Sequence, residues 1–332
     1  MACAHQALQS LQWPAVTNAR VNGDGGLALG ALVFSSVMAA SVGLGWSKDN
    51  LRLAVFPPGV TEIQTALAAL SLGPVGLSDE LEGYPVPLAP GASPPVVTNV
   101  SLAMSTCTVN GTLLQPSFPL TPVEDLMTGG GALDVRSGHV WATFTAVPGG
   151  AGPWFTALSY SYGASALPPF ALLPRHLAPL VDWAQPQQGG GAGCAAPSNP
   201  PDFASVPAGA FLGAGDELCG AWVAWDRANA TLAARFSSEA PIALPLAPLA
   251  PAQWGVAPLV DGLALLGEEG KVAAVSSYRF ASIVAGGGSA AVGLRGAPGE
   301  AVTLLWAAAP SLVIQRMTVS LGPDGTAQVS VP

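Results

Sequence analysis

The sequence predicts two successive architectures: an α/β unit with parallel strands, followed by an antiparallel β-sandwich. Strand-like and helix-like apolar patterns alternate in the first third of the chain. Strands separated by Gly/Pro turns fill the remainder. Half of the 332 residues are hydrophobic, which is ample material for a core. We therefore place a domain boundary near residue 115, with residues 1–115 and 116–332 as the two units.

The first unit has the order strand, helix, strand, helix, strand. Thr61 can cap the second helix, and Ile63, Ala66, Leu67 and Leu70 form its apolar face. This alternation is typical of a parallel sheet or barrel, in which sites are built at the carboxyl ends of the strands. The predicted elements are strands at 15–21, 50–56 and 73–78, and helices within 25–47 and at 61–72.

Residues 25–47 are uncharged and long enough to span a bilayer. Gly and Ser interrupt this segment throughout, and no Lys/Arg cluster flanks it. Its apolar residues follow the spacing of one helix face, as in a buried amphipathic helix. We therefore favour a core helix over a membrane span. The residues on this face are Leu27, Leu32, Val33, Val37 and Met38.

The second unit consists of short strands with turn residues between them. Residues 312–331 read as a hairpin around the turn Gly322–Gly325. Residues 185–201 (QPQQGGGAGCAAPSNPP) form a low-complexity loop. The strand-like segments are residues 139–147, 154–162, 221–225 and 301–306.

Composition and charge exclude several function classes. With 11 Lys and Arg against 20 Asp and Glu, the net charge is −9 and there is no basic stripe, so nucleic acid is excluded as a partner. The Gly triplets lack the spacing of phosphate-binding loops, and the three His residues have no partner at metal-ligand spacing. We expect neither a metal nor a cofactor. Cys194 and Cys219 either pair or remain free thiols.

Three sequons, at Asn99, Asn110 and Asn229, permit N-glycosylation in a secretory route. The sequence starts MACAHQ, without the basic and apolar regions of a signal peptide. The localisation therefore stays open.

Acidic residues are the remaining candidates for chemistry. Arg20 and Asp24 leave a predicted buried strand and precede a helix, which places both at the mouth of a parallel barrel. There the guanidinium can hold a sugar hydroxyl while the carboxyl reaches a glycosidic oxygen. Asp79, at the end of the strand at 73–78, would lie on the same rim.

Two segments resemble the clan-D glycoside hydrolases, the α-galactosidase-type families 27 and 36. Residues 14–24 (PAVTNARVNGD) are similar to the acid/base segment after the sixth barrel strand. Residues 61–79 (TEIQTALAALSLGPVGLSD) resemble the last helix and eighth strand, which in raffinose-synthase-like relatives carries a G-P-V…S-D string. The resemblance implies that residues 15–79 are strands six to eight of a (β/α)8 barrel, that residues 98–114 are its closing helix and exit, and that a β-sandwich follows.

Carried over to this chain, the resemblance makes Asp24 the general acid/base, Arg20 a sugar-binding residue and Asp79 a weaker candidate for the rim. The implied partner is an α-galactoside-like carbohydrate. The family's nucleophilic Asp lies on the fourth barrel strand, which has no match here. A retaining mechanism needs two carboxyls about 5–5.5 Å apart. We therefore expect the sequence to be the C-terminal portion of a longer protein, which by itself binds sugar poorly and hydrolyses nothing.

Two other interpretations remain open. One is a non-catalytic protein, in which a β-sandwich with a degenerate barrel remnant binds carbohydrate or packs in a larger assembly. The other is an extracellular structural glycoprotein rich in Ala and Pro, which would show a periodic Pro pattern that the sequence lacks.

Overall fold

The computed structural model describes residues 18–20, 45–47, 58–76, 99–123, 138–161, 166–184, 218 and 220–332. This part of the chain is rich in β-strands, and all its strand pairs but one are antiparallel. The prediction of an antiparallel, β-rich second unit is therefore confirmed. The described residues do not show a barrel.

The exception is a parallel pair in the predicted α/β unit. Strand β1 (Asn18–Arg20) pairs with β2 (Gly45–Ser47), and Arg20 is in register with Ser47. A parallel pair requires a crossover of a dozen or more residues, which residues 21–44 supply. The last three residues of the uncharged segment at 25–47 therefore form a strand, and the helix predicted from Leu27 to Met38 lies outside the described residues. The predicted strand at 50–56 lies outside the described residues.

Helix α1 (Pro58–Leu70) confirms the second predicted helix and begins three residues earlier. Proline is favoured in the first turn of a helix because it has no N–H to leave unpaired there, so Pro58 starts the helix in place of a Thr61 cap. The helix is buried almost all round. Leu72 and Gly73 follow with φ of 62° and 74°.

The predicted strand at 73–78 is wrong over 73–76, which form no strand. The left-handed backbone at Leu72 and Gly73, followed by Pro74, turns the chain out of an extended ladder. Residues 77 and 78 lie outside the described part of the chain.

Helix α2 (Val100–Met104) lies at the start of residues 98–114, the predicted closing helix and its exit. Asn99 caps it, since its side-chain oxygen accepts from the Leu102 N–H at 3.0 Å. The hydroxyls of Ser105 and Thr106 donate to carbonyls three residues back, at 2.6 and 2.7 Å. Such side-chain bonds compete with helix propagation, which explains the early end.

A six-stranded antiparallel sheet forms the centre of the described structure. Both of its faces are covered. Val140, Ala142 and Phe144 pack under helix α3 (Pro174–Ala184), whereas the intervening Trp141 packs against α1. The sheet has the order β3 (Thr121–Pro122), β4 (Gly138–Thr145), β5 (Trp154–Ser161), β10 (Ala252–Leu259), β7 (Ala221–Asp226) and β8 (Ala233–Phe236).

Strands β6 (Leu167–Leu172) and β9 (Ile242–Leu246) pair antiparallel beside α3 and complete the cover of that face. The predicted loop at 185–201, Cys194 and Cys219 lie outside the described residues.

Two three-stranded sheets share one core and give the C-terminal region a sandwich-like arrangement. One has the order β11 (Leu263–Glu268), β14 (Ala301–Ala308), β15 (Ile314–Ser320), and the other β12 (Phe280–Gly286), β13 (Ser289–Arg295), β16 (Thr326–Val331). The Trp154 indole N–H donates to the Leu265 carbonyl at 2.8 Å, which joins this region to the six-stranded sheet.

The predicted hairpin over 312–331 is wrong in its pairing. Both strands and the turn between them exist, but β15 pairs with β14 and β16 pairs with β13. The turn is anchored elsewhere, because the Gly296 N–H donates to the Gly325 carbonyl at 2.8 Å. The segment therefore carries the chain from one sheet to the other.

We predict that Gly255→Ala lowers the free energy of unfolding by roughly 1–3 kcal/mol, because it overpacks a filled site. Gly255 is opposite Trp225 in the sheet, and a Cβ at Gly255 would lie 2.1 Å from the buried indole ring. Urea denaturation monitored by tryptophan fluorescence measures the change. Gly286→Ala is the control, since a Cβ there meets open space. Equal effects of the two substitutions would contradict this packing argument.

Candidate functional site

The candidate site is a cleft of about 360 Å³ between α1, α2 and the turn that follows β11. The chain has only 9% charged residues, yet the cleft collects six of them. Trp225 and Gln253 from the six-stranded sheet also line it. The cleft is therefore the main concentration of charge among the described cavities. Its charged residues are Glu62, Arg227, Glu268, Glu269, Lys271 and Arg316.

A β-bulge positions the turn that supplies half of these charges. The register of β11 against β14 shifts between Leu265 and Gly267. Gly267 has φ 114°, and a Cβ there would lie 2.4 Å from the Ala274 carbonyl oxygen, so this position requires glycine. After the bulge, the Glu268 and Glu269 N–H groups donate to the Ala274 and Thr303 carbonyls at 2.7 and 2.8 Å.

Behind the cleft lies a buried carboxylate–guanidinium–carboxylate triad, formed by Glu268, Arg279 and Glu300. Arg279 is fully buried. Its Nε donates to Glu268 Oε2 at 2.7 Å, and its Nη2 donates to Glu300 Oε1 at 2.5 Å and to Glu268 Oε1 at 3.3 Å. Arg279 Nη1 donates to Glu300 Oε2 at 3.1 Å. Both oxygens of each carboxylate are thus engaged by one guanidinium.

The two carboxyls of the triad have pKa values shifted in opposite directions. Burial raises the pKa of Glu268 above its usual value, against the opposing effect of Arg279, and the charge of Glu300 adds to the rise. Burial also acts upward on the pKa of Glu300, but hydrogen bonds from Arg279 and from the N–H groups of Ala297 and Val109 outweigh it, so this pKa is lowered. Glu268 is therefore the first of the pair to take a proton.

The remaining cations of the cleft differ in their partners. Arg316 Nε donates to Glu269 Oε1 at 2.7 Å in a half-exposed ion pair. Lys271 Nζ donates to the Met104 and Cys107 carbonyls at 2.9 and 2.7 Å.

Arg227 has no carboxylate partner within the described structure. Its Nη1 donates to the Val272 carbonyl at 2.5 Å, and burial lowers its pKa to about 10.

This arrangement is suited to binding rather than to proton transfer. The pKa of Glu268 is raised, as that of a general acid would be, but each of its oxygens accepts a hydrogen bond from Arg279, which holds the carboxyl as a partner of the guanidinium. Arg227 and Gln253 can donate to a ligand, and Glu62 can accept from one.

None of the site residues predicted from the sequence is among the described residues that line this cleft. Arg20 is the last residue of β1, at the carboxyl end of a parallel pair. Asp24 and Asp79 fall outside the described residues, so their roles stay predictions. The sequon residues Asn99, Asn110 and Asn229 are all exposed.

The cleft and the triad were missed by reasoning from the sequence. The local signal was the run Glu268-Glu269-Gly270-Lys271, three charges in four residues of a chain that is poor in charge. Arg279 and Glu300 are single charges beside apolar strands, and such a pattern is also typical of exposed strand ends. Only the pairing of the strands brings these residues together.

The chain matches no protein-family model, and a search of curated proteins finds no significant relative. Among the described residues, no helix is both long and apolar enough to cross a bilayer. The same residues contain no cluster of three or more His, Cys, Asp or Glu side chains that could hold a metal ion.

We predict that Arg279→Met destabilises the fold by roughly 3–5 kcal/mol, because two buried carboxylates then face each other without a cation. Glu300→Gln should cost more than Glu268→Gln, since the charged form of Glu300 is the one that its surroundings stabilise. Thermal and urea denaturation at pH 7 measure the loss of stability in each variant. Glu239→Gln is the control, because Glu239 is exposed. A larger loss for Glu268→Gln would contradict the assignment.

The loss of unfolding free energy caused by Glu300→Gln should also depend on pH. The pKa of Glu300 is lowered in the fold, so its contribution to stability is complete above the ordinary carboxyl value of 4.5 and is lost as pH falls through the folded value. The difference in unfolding free energy between wild type and Glu300→Gln should therefore shrink below about pH 4. A difference that stays constant down to pH 3 would show that the charge of Glu300 is not what stabilises the fold.

Proposed function

We propose that this chain is a carbohydrate-active protein related to the clan-D glycoside hydrolases, with Arg20 and Asp24 at its sugar site. The observation that carries the proposal is the parallel pairing of β1 and β2, with Arg20 at the carboxyl end of its strand. Parallel β/α units build their sites at this end of the strands. Asp24 follows Arg20 by four residues in the sequence.

The order of the remaining elements supports the proposal. The parallel pair comes first, then the buried helix α1, and then the antiparallel sheets. Helix α1 shares a core with the six-stranded sheet, through Leu67 and Leu70 against Trp141 and Tyr160. This is the order of barrel, last helix and β-sandwich in the clan-D families.

In the proposed site, the Arg20 guanidinium holds a hydroxyl of an α-galactoside-like sugar, and Asp24 serves as general acid/base. Asp79 is a weaker candidate for the rim. The matched residues supply no nucleophile, whereas a retaining reaction needs a second carboxyl about 5–5.5 Å from the first. The proposed activity of the 332-residue polypeptide is therefore weak sugar binding without turnover.

A second candidate function is non-catalytic carbohydrate binding by the β-sheet region alone. The engagement of both Glu268 oxygens by Arg279 favours it, because the carboxyl with the raised pKa in the cleft is held as a structural group. In this alternative, Asp24 and Arg20 have no role in sugar binding.

We predict that saturation-transfer NMR detects methyl α-galactoside on the purified chain and that Arg20→Ala abolishes the signal. Loss of the guanidinium removes charge-assisted hydrogen bonds, which corresponds to a roughly ten- to hundred-fold loss of affinity. Arg175→Ala, an exposed arginine on α3, is the matched control and should leave the signal unchanged.

A chromogenic α-galactoside gives the complementary readout. We expect no release of the chromophore by the purified chain. Turnover that is lost in Asp24→Asn would overturn the statement that this polypeptide lacks a nucleophile. A galactoside signal that survives both Arg20→Ala and Asp24→Asn would support the second candidate function instead.

A further inference from the structure

The strongest unexplained feature of the described structure is Arg227. This arginine lines the cleft, follows directly after β7 and is half-buried. Its Nη1 donates to the Val272 carbonyl, but its Nε and Nη2 have no acceptor among the described residues. Arginine offers five N–H donors in a rigid fork, so most of them point to water or to a ligand.

The electrostatics at this position are unbalanced. Burial is the cause of the lowered pKa of Arg227, and no carboxylate contributes to raise it again. Two of the three carboxylates in the cleft are engaged: Glu268 is bound by Arg279, and Glu269 by Arg316. The third, Glu62, is exposed on α1. A partly desolvated cation without a counter-charge is expected to bind an anion, because the anion supplies both the missing charge and hydrogen-bond acceptors.

A second cation lines the same cleft. Lys271 Nζ donates to two backbone carbonyls, Met104 and Cys107, which leaves its positive charge without a carboxylate partner in the described part of the chain. Its charge nevertheless acts on Glu268, where it opposes the rise of the carboxyl pKa, whereas no carboxylate acts on Arg227 in the described structure. Since Arg227 also donates to the carbonyl of Val272, the residue after Lys271, the two cations are anchored to the same turn.

The cleft also offers neutral polar contacts. The side chain of Gln253 lines it and makes no hydrogen bond with other described residues, so its amide can both donate and accept. Glu62 also lines the cleft, and its carboxylate can accept hydrogen bonds from hydroxyl groups. A volume of about 360 Å³ is within the ordinary range for sites of small molecules.

We propose that this cleft binds a small polyhydroxylated carboxylate of the uronic acid class, with the carboxylate on the free edge of Arg227. A carboxylate matches the fork of a guanidinium with two parallel N–H···O bonds, which a lone hydroxyl cannot reproduce. Lys271 adds long-range attraction. Gln253 and Glu62 bind hydroxyls. This proposal uses other residues than the one made for Arg20 and Asp24, and it does not depend on that one.

The test is a calorimetric titration of the full chain with glucuronate, glucose and inorganic phosphate at equal concentrations. Glucuronate should bind at least ten-fold more tightly than glucose, since hydrogen bonds to a charged group are stronger than those to a neutral one. Binding of glucose as tight as that of glucuronate would overturn the role of the carboxylate. Phosphate binding as tight as glucuronate would overturn the proposed ligand class.

Arg227→Gln should weaken glucuronate binding by roughly ten- to hundred-fold, whereas the exposed Arg235→Gln on β8 should leave it unchanged. Arg227→Lys keeps the charge but lacks the fork, and should lose a smaller part of the affinity. An unchanged affinity in Arg227→Gln would overturn the proposal.

A measurement on the wild-type chain covers the case in which Arg227→Gln fails to fold. Phenylglyoxal modifies accessible arginines, and peptide mass spectrometry reports the modification at each one. Glucuronate should protect Arg227 several-fold and leave Arg235 unprotected, while glucose should protect neither. Equal modification of Arg227 with and without glucuronate would overturn the proposal. Since the galactoside site at Arg20 is assayed with a neutral sugar, the failure of one site does not imply the failure of the other.

Discussion

The buried guanidinium of Arg279 is the interaction on which the C-terminal half depends. It precedes β12 in one sheet and binds Glu268 at the end of β11 in the other, while Glu300 leads into β14. A charged group at full burial is costly unless its hydrogen-bonding capacity is satisfied, and here two carboxylates and the Arg295 carbonyl satisfy it. The triad fixes one arrangement, because any other leaves a charge buried without a partner.

The same triad connects the helical segments to the sheets. Glu300 Oε1 accepts from the Val109 N–H at 3.1 Å, and the Gln115 N–H donates to the Ser276 hydroxyl, also at 3.1 Å. The Val272 N–H donates to the Ser105 carbonyl at 2.8 Å. The chain around α2 is therefore tied to the turn after β11 at several points. These hydrogen bonds hold the walls of the cleft in place, since the walls come from segments that are distant in sequence.

The sequence predicts local structure here better than it predicts pairing. Helix α1 was foreseen because Ile63 and Leu67 repeat at helical spacing, and the strands around Trp154 and Ala301 because Gly and Pro bound them. The partners of β15 and β16 were not foreseen, since a tight turn at Gly322–Gly325 serves a hairpin and a crossing between sheets equally well. The cleft was not foreseen either. Its charges become neighbours only through the bulge at Gly267 and the packing of α1 and α2, neither of which periodicity reveals.

Because only 9% of the residues are charged, the partners of each buried charge help to show its role. Arg279 is paired with both Glu268 and Glu300, and Arg316 is paired with Glu269, so all five of these charges have partners that account for their positions. Arg227 is different. Burial removes its guanidinium from water and lowers its pKa, and its side chain makes only one hydrogen bond in the described structure, to the Val272 carbonyl. A purely structural role would be served as well by a neutral side chain that donates to Val272. A full guanidinium at the wall of an open cleft is therefore better explained by a ligand that completes its hydrogen bonds than by the stability of the fold.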